Sequence, residues 1–282
     1  MLKFLRKDCG RPAVKSMDDK RIEELKNISA EVRKDVLRMV GMARSGPYET
    51  PLAIASLLVY LYWEELALIP SEPRREDRDR FVLGMPRAVP ALYAALARRG
   101  FFEREHLWHY RRLGAMLQAL PDFRRIPGLD APCLTVQPSL ATAAALAEGL
   151  ARRSFRPRVV FLVSERAFRS EEFAEEAARV AGEPLPNLFM IVASKEGFEL
   201  PRRACSGWDC REAAADDFAS LESACASFDF SSGGPKALFA TARGGSGLSL
   251  FGEEPADGGH SLSLGELDQA LEELEVRSNE HK

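Results

Sequence analysis

The sequence predicts an α/β fold, a mostly parallel sheet with helices on both faces. Residues 158–163 (RVVFLV), 187–193 (NLFMIVA) and 236–242 (KALFATA) are continuous apolar runs of strand length. Helical patterns separate them. A strand that is apolar on both faces belongs inside a sheet covered on both sides, which is how parallel sheets are built.

The elements follow in chain order. Residues 1–17 read as an arm, residues 18–276 as the folded domain and 277–282 as a tail. From Asp18 to Arg44, Ile22, Leu25, Ile28, Val32, Val36, Met39 and Val40 recur at three and four, which predicts an amphipathic helix ended by Gly46 and Pro47. Thr50 with Pro51 predicts the start of a second helix, 50–67. That helix is apolar nearly all round (LAIASLLVYLYW), so it is expected to be buried. Tyr60, Tyr62 and Trp63 on it read as core or interface aromatics.

Residues 80–84 (RFVLG) predict a short strand. Helices are expected at 88–99, closed by Gly100, at 103–118 and, rich in alanine, at 138–153. Ser170 is placed to cap a helix reaching about Ala181, and a further helix is expected near 213–227. Ser263 and Glu266 have capping-box spacing ahead of the last helix, LDQALEEL. The Gly/Ser-rich stretches 231–234 and 244–249 read as loops.

Composition sets bounds on function. The chain has 282 residues, 46% hydrophobic and 29% charged, which allows a full core without disulfides or metals. Lys and Arg number 39 against 42 Asp and Glu, so there is no electrostatic footprint for nucleic acid. The densest charge run, Arg74 to Arg80, mixes both signs and reads as a solvated, salt-bridged loop. Five cysteines without CxxC spacing argue against zinc and disulfides and fit a reducing cytoplasm. No apolar run approaches the length of a membrane span. His106 and His109 lie three apart with no acidic or cysteine partner in register for a metal.

Several stretches are more specific than the order of elements. RDRFVL at 78–83 followed by PALYAALARRGFF at 90–102, LRMVGMARSG at 37–46, MLQALPDFRRIPGLD at 116–130, LPNLFMIV at 185–192 and the tail KALFATARGGSG…GGHSLSLGELDQALEEL resemble the N-terminal domain of transketolases. The resemblance is collinear from about residue 20 to 275 and matches the N-terminal subunit of family members split into two chains. It implies the thiamine diphosphate-binding fold of diphosphate-binding type. It also implies a cofactor held through a metal ion by a glycine-aspartate-glycine motif after one strand and an asparagine after the next. Such sites rely on glycine backbone and helix N-termini for the diphosphate, and on oxygen ligands for a hard cation.

The matched positions depart from that pattern. The glycine-aspartate-glycine motif reads Ser164-Glu165-Arg166, and the asparagine reads Lys195, which has no acceptor to offer a cation. The family's serine-glycine-histidine reads Ser45-Gly46-Pro47, and its glycine-histidine-alanine reads Pro86-Arg87-Ala88. Its glycine-histidine-proline reads Ala119-Leu120-Pro121, and its glycine-serine-leucine-glycine run reads Pro138-Ser139-Leu140-Ala141. Of the site histidines only His260 stands in place, and it is the one catalytic candidate. The degenerate site is thus Ser164, Glu165, Arg166, Lys195, Arg87 and Ser139.

Glu165 and Lys195 are expected either to replace the metal by an ammonium in a cofactor site or to form an ion pair that fills the vacated position without a ligand. Arg87, Arg166 and Lys195 either line a basic pocket for another phosphorylated ligand or plug the old cavity. Gly244–Gly247 follows a strand but lacks the lysine and helix of a phosphate loop.

The resemblance and its departures imply a non-catalytic structural or regulatory subunit that needs no cofactor or metal. It would form a homodimer or pair with a separate transketolase C-terminal subunit, with helices 20–44 and 50–67 offered to the interface. The alternative is the active N-terminal half of a split transketolase, transferring a two-carbon ketol unit between sugar phosphates with thiamine diphosphate and magnesium.

Overall fold

The computed structural model describes residues 17–132, 136–153, 157–195, 198, 206–242, 248 and 262–280. Five parallel strands form one sheet: β1 (Arg80–Gly84), β2 (Val159–Ser164), β3 (Leu188–Lys195), β4 (Asp209–Ala214) and β5 (Lys236–Ala242), in the order β1-β2-β3-β5-β4. Register pairs Gly84 with Val163, Ser164 with Ala193 and Lys195 with Ala242, so the carboxyl ends of the strands share one rim.

Alternation along the strands builds two cores. Val160, Leu162, Phe189, Ile191, Leu238 and Ala240 face a core shared with α1 (Asp19–Ala43), α3 (Ala55–Tyr60), α4 (Val89–Arg99), α8 (Phe218–Ala226) and α9 (Leu264–Glu280). Val159, Phe161, Val163, Met190, Val192 and Phe239 face α5 (Val136–Ala151), α6 (Glu165–Phe168) and α7 (Glu171–Ala181). Helices cover both faces of the sheet, as its two-sided apolar strands require.

Local chemistry sets the helix ends. The Asp18 carboxylate accepts the Arg21 N–H at 2.8 Å and opens α1. Ser170 Oγ accepts the Phe173 N–H at 3.2 Å to open α7. Ser263 and Glu266 close the expected capping box: the Ser263 N–H donates to Glu266 Oε2 at 2.8 Å, and the Glu266 N–H donates back to Ser263 Oγ at 3.3 Å. The last helix, α9, continues to Glu280, beyond residue 276 where a tail was expected to begin.

Several expectations are corrected. The helix expected at 50–67 is divided into α2 (Glu49–Ala53), α3 and a widened turn, Leu61–Glu65. Thr50 does not cap it; the helix opens two residues before Pro51, after Tyr48. In the widened turn the Leu66 N–H reaches Leu61 O at 2.8 Å, and Glu65 is set against Arg158. The helix expected at 103–118 is a short, tightly wound helix of two turns, Arg104–His109, because Arg111 takes a φ of 61° and its N–H turns to Leu117 O at 2.9 Å.

The helix expected at 213–227 begins only at Phe218, where Asp217 caps it; residues 213 and 214 belong to β4, a strand the sequence did not announce. The charge run 74–80 is solvated only in its first half. Arg78 forms a buried pair with Asp130 at 2.5 Å, and Asp79 pairs with Arg158 at 3.0 Å beneath the sheet edge. Buried charges persist when their hydrogen-bonding capacity is met, and Arg158 meets it with Glu65, Asp79 and the face of Phe230 at 4.8 Å.

Of the two helices expected to offer an interface, 20–44 and 50–67, the second belongs to the core: Leu57, Leu58, Val59 and Leu61 are fully buried, with Tyr60 and Tyr62 beside them. Trp63 is half-buried under the Arg99 guanidinium, 5.6 Å from the ring centre.

Candidate functional site

The carboxyl rim of the sheet collects most of the positions singled out by sequence. Arg87 follows β1, Ser164-Glu165-Arg166 follow β2 and Lys195 ends β3, and these three strands are neighbours. Ligands of open α/β sheets bind outside this edge. His260 and Gly244–Gly247 lie outside the described residues, as does the side chain of Ser139, whose backbone is in α5.

Glu165 is the hub. Its Oε2 accepts the backbone N–H of Lys195 at 3.0 Å, and its Oε1 accepts from Arg169 Nε at 2.9 Å. The ion pair expected between Glu165 and Lys195 does not form. The lysine supplies its main-chain amide, and Arg169, one helical turn after Glu165, supplies the cation. The short helix α6 is closed at its start by Ser164, whose Oγ accepts the Ala167 N–H at 3.3 Å.

Aromatic packing continues inward from this tie. The Arg169 guanidinium lies over the Phe198 ring at 4.8 Å. Phe198 stacks on Phe239 at 5.9 Å and meets the edge of Phe168 at 6.4 Å, and Phe168 meets Phe239 at 5.2 Å. Glu165, Arg169 and Phe198 thereby join the segments that follow β2 and β3. Arg169 and Phe198 were not singled out by sequence. The four-residue spacing from Glu165 to Arg169 was the available signal for the first; nothing marked the second.

Arg166 and Lys195 do not plug this region, because both side chains are exposed. Arg87 is exposed too and reaches Glu49 at only 3.8 Å. Glu49 is buried beside Tyr48, whose phenol is pushed up to about 12 by burial and by the carboxylates of Glu49 and Glu266. Arg87, Arg166 and Lys195 thus share a rim at the ends of adjacent strands and point charge toward solvent.

A protein-family model described as "Transketolase, thiamine diphosphate binding domain" matches residues 25–157. The chain is similar to the transketolase family over just under half of its length. It is 30% identical over 159 residues to the "6-deoxy-6-sulfo-D-fructose transketolase subunit SqwG" of Clostridium sp., a match covering 56% of this chain and 58% of that one. It is 25% identical to one of the subunits of the apulose-4-phosphate transketolase of Phocaeicola vulgatus, covering 92% of this chain and 99% of that relative.

Solved transketolases share the fold. A Pichia stipitis transketolase superposes with a TM-score of 0.76 at 20% identity, over 92% of this chain and 44% of that one. The Campylobacter jejuni transketolase superposes with a TM-score of 0.73 at 18% identity, over 94% of this chain and 48% of that one. This transketolase-like chain therefore spans under half the length of those solved enzymes, whereas it spans nearly all of the Phocaeicola vulgatus relative. Among the described residues no helix is long and apolar enough to cross a membrane.

Proposed function

We propose that this chain is a transketolase N-terminal subunit that has given up the thiamine diphosphate and metal site and serves as a structural or regulatory partner. The partner is a separately encoded C-terminal subunit or another copy of the chain, in a reducing cytoplasm, which five cysteines without CxxC spacing fit.

The observation that carries this reading is the state of Glu165. It stands where the resemblance places the metal-binding aspartate, and both its oxygens are engaged, one by the Lys195 N–H and one by Arg169. A divalent cation needs several oxygen ligands in a fixed shell. Lys195 and Arg166 bring none, since ammonium and guanidinium groups have no acceptor. Serine at 164 closes the helix start with its own hydroxyl, taking one of the N–H groups a diphosphate would use. The residues at this rim do not fit a metal-bridged diphosphate.

Titration calorimetry with thiamine diphosphate and magnesium tests the reading, with the chain alone and with a C-terminal subunit present. No metal-dependent heat in either case is expected. Micromolar, magnesium-dependent binding would overturn it and favour the second reading, the active N-terminal half of a split transketolase that transfers a two-carbon ketol unit between sugar phosphates. That second reading draws on the near full-length similarity to a relative named as one subunit of a transketolase. The exposed cations Arg87, Arg166 and Lys195 allow a metal-free anion at the same rim, which thermal-shift measurements with sugar phosphates would detect.

A further inference from the structure

We propose that Arg33, with Ser29 and Ser56, forms a binding site for a small singly charged anion, such as a carboxylate, in the seam between α1 and α3. The inference goes beyond the proposed function, because it involves no residue of the sheet rim and stands whether or not the rim holds a cofactor.

Helix spacing builds the site. Ser29 and Arg33 lie one turn apart on α1 and share a face. That face meets α2 and α3. Arg33 Nε donates to Leu52 O at 3.2 Å, Nη1 to Ser29 Oγ at 2.5 Å and Nη2 to Ser56 Oγ at 3.0 Å. The two hydroxyl oxygens are themselves 2.9 Å apart and share one hydrogen bond. Both serines are buried, while Arg33 is half-buried, which leaves the site within reach of solvent.

The site is short of acceptors. A guanidinium has five N–H groups and no acceptor, and a serine hydroxyl has one O–H. Leu52 O and the two hydroxyls take three of the five N–H groups, and one serine takes the O–H of the other. Two N–H groups and one O–H are left without an acceptor among the described residues. Enclosed donors need acceptors, and donors gathered around a cation are best met by an anion, whose hydrogen bonds to them are charge-assisted.

Its charge is unmatched as well. Arg78 pairs with Asp130 and Arg98 with Asp35, each at 2.5 Å, and Arg158 pairs with Asp79 at 3.0 Å. The acceptors of Arg33 are all neutral, and among the described residues no carboxylate lies within ion-pair distance of it. An enclosed charge without a counterion is costly. Burial accordingly pushes this guanidinium down to about 10, and Asp216 only partly counters it. Asp216 is exposed on the turn after β4. Its negative charge beside the site opposes a dianion, and the few free donors suit a small ligand. A singly charged group is therefore selected over phosphate or sulfate.

Arginine side-chain NMR of the full chain tests this, with Arg33→Lys identifying the Arg33 signal. Sodium formate is the probe, and sodium sulfate at equal ionic strength is the reference. The Arg33 signal should move and saturate at millimolar formate and stay in place with sulfate. Ser56→Glu brings a carboxylate to the acceptor position that Arg33 Nη2 already addresses, and should weaken formate binding at least about tenfold. Ser29→Asp does the same from the Nη1 side and takes over if circular dichroism shows that the first variant does not fold. A formate response that never saturates overturns the proposal, since water then meets the spare donors. An equal response to sulfate overturns it too, as does formate binding that the folded carboxylate variants leave unchanged.

Discussion

The Glu165 carboxylate accepts the backbone N–H of Lys195 at 3.0 Å, tying the end of β3 to the turn that follows β2. The resemblance to transketolases implies a metal ion between those two segments. The Glu165 carboxylate links them by this hydrogen bond, and Arg169 brings a positive charge to the same carboxylate.

A reversion series follows from that tie. Glu165→Asp combined with Arg166→Gly and Lys195→Asn restores oxygen ligands and backbone access at one stroke. Calorimetry should then show magnesium-dependent diphosphate binding at least about tenfold tighter than in the parent. Equal affinity in parent and variant would mean that the parent site is intact.

The buried Arg158 cluster predicts a large stability loss. Arg158, Glu65 and Asp79 are almost wholly enclosed, and the Arg158 N–H and side chain both bond Asp79. Arg158→Met strands two carboxylates in the core and should cost about 3–5 kcal/mol, read from urea denaturation. Arg158→Lys should recover little, since an ammonium cannot span both carboxylates and Glu65 O as the guanidinium does.

Asp229 predicts a local pH response. Its carboxylate accepts the hydroxyl of Ser231 at 2.5 Å, the Ser231 N–H at 2.8 Å and the hydroxyl of Ser232 at 2.7 Å. The Ser231 hydroxyl first, then the other donors, hold the carboxyl down at about 2, against an ordinary value of 3.8. Because the folded state favours the charged form, this contribution is complete above the ordinary value and disappears as pH falls through about 2. Carboxyl NMR titration should show the low midpoint, and Ser231→Ala should raise it toward the ordinary value.

Gly128 predicts a backbone effect. Its φ is 89°, and an added Cβ would lie 2.8 Å from both Leu96 and Phe101. Gly128→Ala combines the left-handed penalty with overpacking and should destabilise by about 2–4 kcal/mol, measured as a lowered midpoint at unchanged denaturant slope.

The strands were legible because burial on both faces leaves apolar runs that no polar residue interrupts. β4 was not, because DCREAA at the sheet edge buries only Ala213. The segment after Gly100 carried a helical rhythm, yet the turn at Arg111 depends on the distant carbonyl of Leu117 and on Tyr93, which no local pattern encodes. The all-apolar helix 50–67 was rightly expected to be buried, but its place in the chain's own core could not be told from a place at an interface. At the rim, the positions after β2 and β3 were legible through resemblance. The choice of Arg169 over Lys195 as the cation was not, since it turns on which group reaches Glu165 in space.

The two outer strands also govern how this molecule can grow. On β4, Asp209 and Arg211 pair across the exposed margin at 2.5 Å, and on β1 the Phe81 N–H is taken by Asp130 at 3.1 Å. A margin studded with charge, and another whose amide is already spoken for, discourage a neighbouring chain from adding a strand. Any lasting association must therefore be written in helices and loops, leaving each sheet a private, five-stranded unit.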